Sequence, residues 1–224
     1  MVMNGPESQM QNSAHLSPAA PVVAFDFDGT LTVHDSFRAF LRWRKGPMAF
    51  YLGLARLLPA VARYLANRDR GSLKAAMVRV YLAGLPRADL EREAAEFATV
   101  AAPRLFRPDA LERWRRHRAE GARLVIVTAS PDVLVWPFAR ALGADMLLGT
   151  RLTFDPRGRV SGVLEGANCR GAEKVRRLQA ALGKELRLHA AYGDTAGDKE
   201  MLAIADQPFM RLFTGRSVRN SGAP

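Results

Sequence analysis

The stretch Val22–Thr32, VVAFDFDGTLT, constrains this chain more than any other segment. An apolar run leads straight into Asp26, Phe27, Asp28, Gly29 and Thr30. A buried strand therefore ends in two carboxylates spaced i, i+2, followed by a tight polar turn. Strand alternation puts both side chains on one side. At the carboxyl edge of a parallel sheet, where α/β proteins place their sites, such a pair can divide two tasks. One carboxylate attacks as nucleophile, and the other moves protons or helps hold a metal. Taken alone, the pair reads equally well as a strand end with two solvated acids, so the rest of the chain has to decide.

The composition, 48% hydrophobic and 25% charged over 224 residues, is that of a globular protein with room for one core domain and an insertion. The single cysteine, Cys169, excludes an intramolecular disulfide, suits a reducing cytoplasm and reads as a plain thiol on a loop. Residues 1–20 are polar and lack the apolar run of a signal peptide, so they read as a disordered leader, with 214–224 as a flexible tail. The net charge of +11 is unevenly placed: from Ser36 to Ala88 eleven basic residues face one acid, Asp69. Such a segment attracts nucleic acid, an anionic membrane surface or a phosphorylated substrate, unless it is simply a solvated basic surface. Its aromatics (Phe37, Phe40, Trp43, Phe50, Tyr51, Tyr64, Tyr81) follow a helical pattern of core packing, not a base-stacking surface. No specific nucleic-acid partner is expected.

Val22–Phe27 reads as a strand, and from Ser36 to about Arg107 the pattern is helical. Met48–Leu65 is strongly apolar, but Arg56, Pro59 and Arg63 make it too short and too charged for a membrane span. If Pro59 only kinks this helix, Arg56 and Arg63 share a face. Such a helix either packs on its neighbours or lies in a membrane interface. Further helices are expected over Pro86–Val100, Ala110–Glu120, Asp132–Leu142, Ala172–Leu182 and Lys199–Ala205. Strands are expected over Arg123–Thr128, Met146–Leu148, Leu188–Tyr192 and Phe209–Phe213, with a hairpin of Arg151–Phe154 and Arg159–Val163. This alternation predicts an α/β fold with a doubly wound parallel sheet. Residues 21–34 and 109–213 would form the core, and 35–108 a helical cap inserted after the first strand.

Three further points stand at or beside predicted strand ends: Thr128, Lys174, and Asp194 with Asp198 in GDTAGD. Each suits phosphoryl transfer. A phosphate monoester is dianionic and resists an anionic nucleophile, so a site must offset its charge with a metal, a lysine and hydrogen-bond donors. Acidic oxygens at two strand ends make a hard-cation site of the Mg²⁺ kind. Thr128 can donate to a phosphate oxygen, and Lys174 can neutralise both phosphate and nucleophile. Singly these are a strand-end hydroxyl, a solvated lysine and a turn former; in this order they form a site.

The set resembles the haloacid dehalogenase-like superfamily of phosphohydrolases. Asp26–Thr30 matches its first motif, Thr128 its second, Lys174 its third and Gly193–Asp198 its fourth. The resemblance implies a Rossmann-like core and an aspartyl-phosphate mechanism. Asp26 would attack phosphorus, and Asp28 would protonate the leaving oxygen and then activate water. Mg²⁺ would bind Asp26, the backbone carbonyl of Asp28, and Asp194, with Asp198 bound directly or assisting. Gly29, Thr30, Ala129 and Ser130 would lie against the phosphate. An aspartate at position 28 favours a phosphatase over a dehalogenase, because an alkoxide leaving group needs an acid.

The helical insertion looks like the cap of the phosphoserine phosphatase-like branch, where cap residues, here Asp35 and Arg56, set specificity. Asp35 stands where phosphoserine phosphatases carry a glutamate that reads the substrate amine, and Gly197 where they commonly have asparagine. Both departures count against a phosphoserine assignment. Thr128–Pro131 and Asn168–Val175 look more similar to the class C phosphatidylglycerophosphatases, which have an apolar, basic cap. The expected substrate is a lipid phosphate, met by peripheral contact with an anionic membrane from the cytoplasmic side. A soluble monoester such as phosphoserine is the alternative, and a basic nucleic-acid-binding protein is the alternative of another class.

Overall fold

The computed structural model describes residues 20–215, so the expected leader and tail lie almost wholly outside the described residues. Strand β1 (Val22–Phe25) is apolar throughout because both faces of its sheet are covered. Val23 and Phe25 enter one hydrophobic cluster and Ala24 the other, as period-two alternation requires. β2 (Arg123–Pro131) repeats this, with Leu124 and Ile126 on the first side and Val125 and Val127 on the second. β3 (Met146–Phe154), β4 (Val160–Glu165), β5 (Leu188–Gly193) and β6 (Ala205–Met210) complete a six-stranded sheet of order β4-β3-β2-β1-β5-β6. Every pairing is parallel except β3 with β4. The chain steps outward from β1 to β3 and then returns to β5, on the other side of β1. Such a switch point opens a crevice beyond the carboxyl ends of the two strands. Phe25 pairs with Tyr192, and the Asp26 N–H donates to the Tyr192 carbonyl at 2.9 Å. Asp26 and Asp194 thus leave the sheet side by side.

Five helices separate β1 from β2, of which the first four are α1 (Ser36–Arg56), α2 (Leu58–Asn67), α3 (Arg70–Leu82) and α4 (Arg87–Leu105). α1 begins at Asp35, whose carboxylate accepts the Arg38 N–H at 2.7 Å, a capping bond. Gly46, at φ +73°, breaks α1 just before Pro47, a position proline keeps out of the helical region. The condition that Pro59 only kinks one helix is not met: Pro59 sits in the first turn of α2, where a missing N–H costs nothing. Arg56 and Arg63 therefore lie on different helices. α1, α3 and α4 place Phe37, Phe40, Phe50, Tyr81, Leu90 and Phe97 in the first cluster, whereas α2 buries none of its residues. α5 (Pro108–Ala119) and α6 (Asp132–Ala141) cover the same side of the sheet. α7 (Ala172–Leu182) and α8 (Lys199–Ala203) cover the other.

Two strands differ from expectation. β3 is continuous because its first half pairs with β2 and its second with β4. β6 begins at Ala205, not Phe209; it is an edge strand, largely exposed, and Asp206 and Gln207 hide it from a hydrophobic pattern. Cys169 is a loop thiol, as read, but fully buried, and burial pushes its pKa up to about 11.

On α5, His117 is buried with Nε2 2.8 Å from the Tyr192 hydroxyl. Burial holds its imidazole below the ordinary 6.5, outweighing the pull of Glu120. On acidification the unfolded chain therefore takes up this proton first, and stability is lost as pH falls through about 6.5. His117→Gln is expected to flatten the fall in Tm between about pH 7.5 and pH 5.5 relative to the wild type. Parallel curves would remove His117 as the cause.

Candidate active site

The turn after β1 is built around close approaches. Gly29 has φ +87°, and a Cβ there would collide with the Asp194 carboxylate. Only glycine lets the loops after β1 and β5 meet at this distance. The Thr32 hydroxyl closes the turn by donating to the His34 carbonyl at 2.8 Å.

Lys174, in the first turn of α7, is 1% exposed. Its ammonium donates to Asp26 Oδ1 at 2.6 Å, the Val127 carbonyl at 2.6 Å and Asp198 Oδ1 at 2.7 Å. All three of its protons are engaged. Asp198 is held on its other oxygen by the Thr195 N–H at 2.9 Å and the Thr195 hydroxyl at 3.0 Å. Asp28 points elsewhere: its carboxylate accepts the Ser36 N–H at 2.6 Å and the Ser130 hydroxyl. Thr128 is fully buried behind them, its hydroxyl accepting the Ser130 N–H at 3.0 Å.

Burial dominates the electrostatics. It pushes Asp26 up to about 7 against the pull of Lys174, with Asp198 and Asp28 adding to the push. Asp28 is also raised, by burial and then by Asp35. Burial would lower the Lys174 ammonium, but Asp26 and Asp198 outweigh it and hold it above its usual value. Asp198 stays below the usual carboxylate range because Lys174 and Thr195 outweigh its burial.

Asp26, Asp194 and Asp198 can each offer an oxygen within 4.8 Å of the others. Asp194 Oδ1 is buried with no hydrogen-bond partner among the described residues. An orphaned carboxylate oxygen in a cluster of hard oxygen donors is what a Mg²⁺-type cation would satisfy. The residues present therefore fit a divalent metal.

The structure gathers Asp26, Asp28, Asp35, Ala129, Lys174, Asp194 and Asp198 around one cavity of about 250 Å³. Ser130 and Thr128 support it from behind. Gly29 and Thr30 line a separate cleft on the far side of Asp194, although the Thr30 hydroxyl lies 3.4 Å from Asp26 Oδ2. Arg56 is not brought to the site; it is exposed at the end of α1. Sequence reasoning missed Ser36, Arg70, Lys74, Asn168, Arg170 and Thr195. Thr195 stood inside the GDTAGD motif; Arg70, Lys74, Asn168 and Arg170 reach the cavity, and Ser36 reaches Asp28, only through the tertiary fold.

The fold and site define an α/β enzyme with a cluster of carboxylates and a buried lysine at the end of its central strand. The chain belongs to the haloacid dehalogenase-like hydrolase family, whose pattern matches residues 23–203. It is 57% identical over 195 residues to Protein CicA of Caulobacter vibrioides, covering 87% of each chain. In fold it is similar to a protein of unknown function from Bordetella pertussis Tohama I, with TM-score 0.69 and 24% identity over 82% of this chain and 86% of that one. It is also similar to a phospho-aspartyl intermediate analogue of phosphoserine phosphatase, with TM-score 0.59 and 20% identity over 83% of each chain.

Proposed function

We propose that this hydrolase cleaves phosphomonoesters through an aspartyl-phosphate on Asp26. The observation that carries this is the division of labour at one strand end. Asp26 is paired with Lys174, while Asp28 is held apart by neutral donors from Ser36 and Ser130. Neighbouring carboxylates in different environments take different protonation states and hence different roles. Asp26 attacks phosphorus, and the ester oxygen leaves with the proton of Asp28, whose raised pKa suits it to carry one. Asp28 then takes a proton from water, which attacks phosphorus. Inorganic phosphate departs and the Asp26 carboxylate is restored. A divalent cation, with Mg²⁺ the candidate, would be held by Asp26, Asp194 and the Asp28 carbonyl beside Asp198, and would supply charge neutralisation for the phosphate.

The proposed substrate is a lipid phosphate such as phosphatidylglycerophosphate. The helices that carry the basic excess also expose Met48, Tyr51, Leu52, Leu58 and Leu65. Apolar side chains among arginines suit shallow insertion into an anionic surface. Among the described residues no helix is long and apolar enough to cross a membrane; the contact proposed is peripheral and on the cytoplasmic face. Residues 35–108 act in this reading as the cap, since α3 and the start of α1 line the cavity. A soluble monoester such as phosphoserine is the second reading, supported by the fold shared with phosphoserine phosphatase. Of the aromatics in this segment, Phe37, Phe40, Phe50 and Tyr81 are buried in the core, whereas Trp43 and Tyr51 are exposed.

The experiment is Mg²⁺-dependent phosphate release from phosphatidylglycerophosphate in mixed micelles, beside phosphoserine and p-nitrophenyl phosphate, with Asp26→Asn as blank. Preference for the lipid, strengthened by anionic vesicles, is the expected result. Preference for the soluble ester, indifferent to vesicles, overturns the lipid reading. Release from none of them overturns the phosphatase reading.

A further inference from the structure

Besides Lys174, three cations line the same cavity: Arg70 and Lys74 from the start of α3, on the helical side, and Arg170 from the loop before α7, beside the turn after β5. Lys74 Nζ donates to the Ala129 carbonyl at 2.6 Å, and that carbonyl also accepts the Thr150 hydroxyl at 2.7 Å. The ammonium is thereby anchored over the end of β2 with further protons to offer. It also sits over the Phe37 ring, 5.7 Å from the centroid. Arg170 donates to the Thr195 hydroxyl at 3.3 Å and lies flat against Gly197, where an added Cβ would collide with its guanidinium. The glycine in GDTAGD and the arginine at 170 are thus one arrangement, in which the missing side chain makes room for a cation. Arg70, Asn168 and Arg170 also line an adjoining open groove of about 820 Å³, so the cavity opens between two guanidinium groups. The carboxylate on the helical side, Asp35, already accepts the Arg38 N–H as the cap of α1.

We propose that Lys74, Arg70 and Arg170 form a second anion site, which reads a negatively charged group on the leaving part of the ester and rejects leaving groups that carry an ammonium. The inference rests on the phosphomonoesterase reading and deepens it to a substrate class. Lys174 cannot serve that second anion, because its three protons are committed to Asp26, Asp198 and Val127. Lys74 and Arg170 are half-buried and Arg70 is exposed, with Asp35 the carboxylate on the helical side, so three cations against one acid there favour an anion and repel a substrate ammonium. The anion recognised has two possible sources, a carboxylate on a small ester or the phosphodiester of a lipid headgroup.

The test is kcat and KM, with Mg²⁺, for four esters that differ in the leaving group. They are phosphoglycolate (carboxylate), phosphatidylglycerophosphate in mixed micelles (phosphodiester), glycerol phosphate (neutral) and phosphoethanolamine (ammonium). The wild type is expected to favour at least one anionic ester over glycerol phosphate by about ten- to hundredfold in kcat/KM, with phosphoethanolamine poorest. Which anionic ester wins identifies the source. Lys74→Met and Arg170→Gln are expected to shrink that ratio mainly through KM, and Lys74→Arg to restore part of it. Equal use of phosphoethanolamine and the anionic esters overturns the second anion site, as does a uniform loss across all four esters in Lys74→Met. Either result leaves the phosphatase reading standing, since glycerol phosphate is still cleaved. No phosphate from any ester in the wild type overturns both.

Discussion

Asp26→Asn is expected to lower phosphate release by about ten-thousand-fold or more, the scale on which removal of a nucleophile acts. The fold should survive. The asparagine oxygen can still accept from Lys174, which keeps Asp198 and the Val127 carbonyl as partners. The substitution also removes one negative charge from a site whose burial, with Asp198 and Asp28 adding to it, already drives Asp26 up to about 7. Tm is therefore expected to stay within about 3 °C of the wild type without metal. With millimolar Mg²⁺ the wild type should gain Tm by ligand linkage and the variant should gain less, having lost one oxygen donor. Calorimetry with and without EDTA, beside the release assay, reads both effects. Full residual activity in a folded Asp26→Asn protein would sink the nucleophile assignment.

Lys174→Met carries the largest expected stability change. The ammonium is the shared counter-charge of Asp26 and Asp198, and all three groups are buried. Removing one partner of a buried ion pair leaves a carboxylate uncompensated and costs about 3–5 kcal/mol. For a chain of this length that is a fall in Tm of about 10 °C. The orphaned carboxylates would take up protons, so the deficit should be smallest at acidic pH and grow towards neutrality. Comparing urea or thermal unfolding of the variant at about pH 5 and about pH 7.5 tests this. Equal stability of variant and wild type at neutral pH would show that Lys174 is not the charge-balancing group. Lys174→Arg should recover only part of the loss, because a planar guanidinium cannot reach three acceptors placed around one ammonium nitrogen.

How much was readable in advance follows from how local each cause is. Asp26, Asp28 and Gly29 were legible because a buried strand running into a turn is encoded in adjacent residues. The strand–helix alternation and the helical character of the segment after β1 were legible for the same reason. The break at Gly46 and the start of α2 at Pro59 were not, since proline marks a helix start as readily as a kink, and only the neighbouring packing separates the two. The first part of β6, residues 205–208, escaped because an edge strand with one partner needs no apolar stripe. Arg56 was placed near the site on a resemblance and a periodicity, and the fold puts it in solvent.

The sequence by itself determined the sheet, its central acidic strand end and the order in which the other polar groups follow. Each of these depends on short-range patterning or on motifs a few residues long. The tertiary structure alone decided that Lys174 binds Asp26 and Asp198 together, that Asp28 is held by Ser36 and Ser130, and that Lys74, Arg70 and Arg170 converge on the same cavity. Most of those partners, Asp26 with Lys174 and Asp28 with Ser130 above all, lie far apart along the chain. They meet because β5 returns beside β1 and the helices after β1 fold back over that switch point, an arrangement fixed by burial of whole faces.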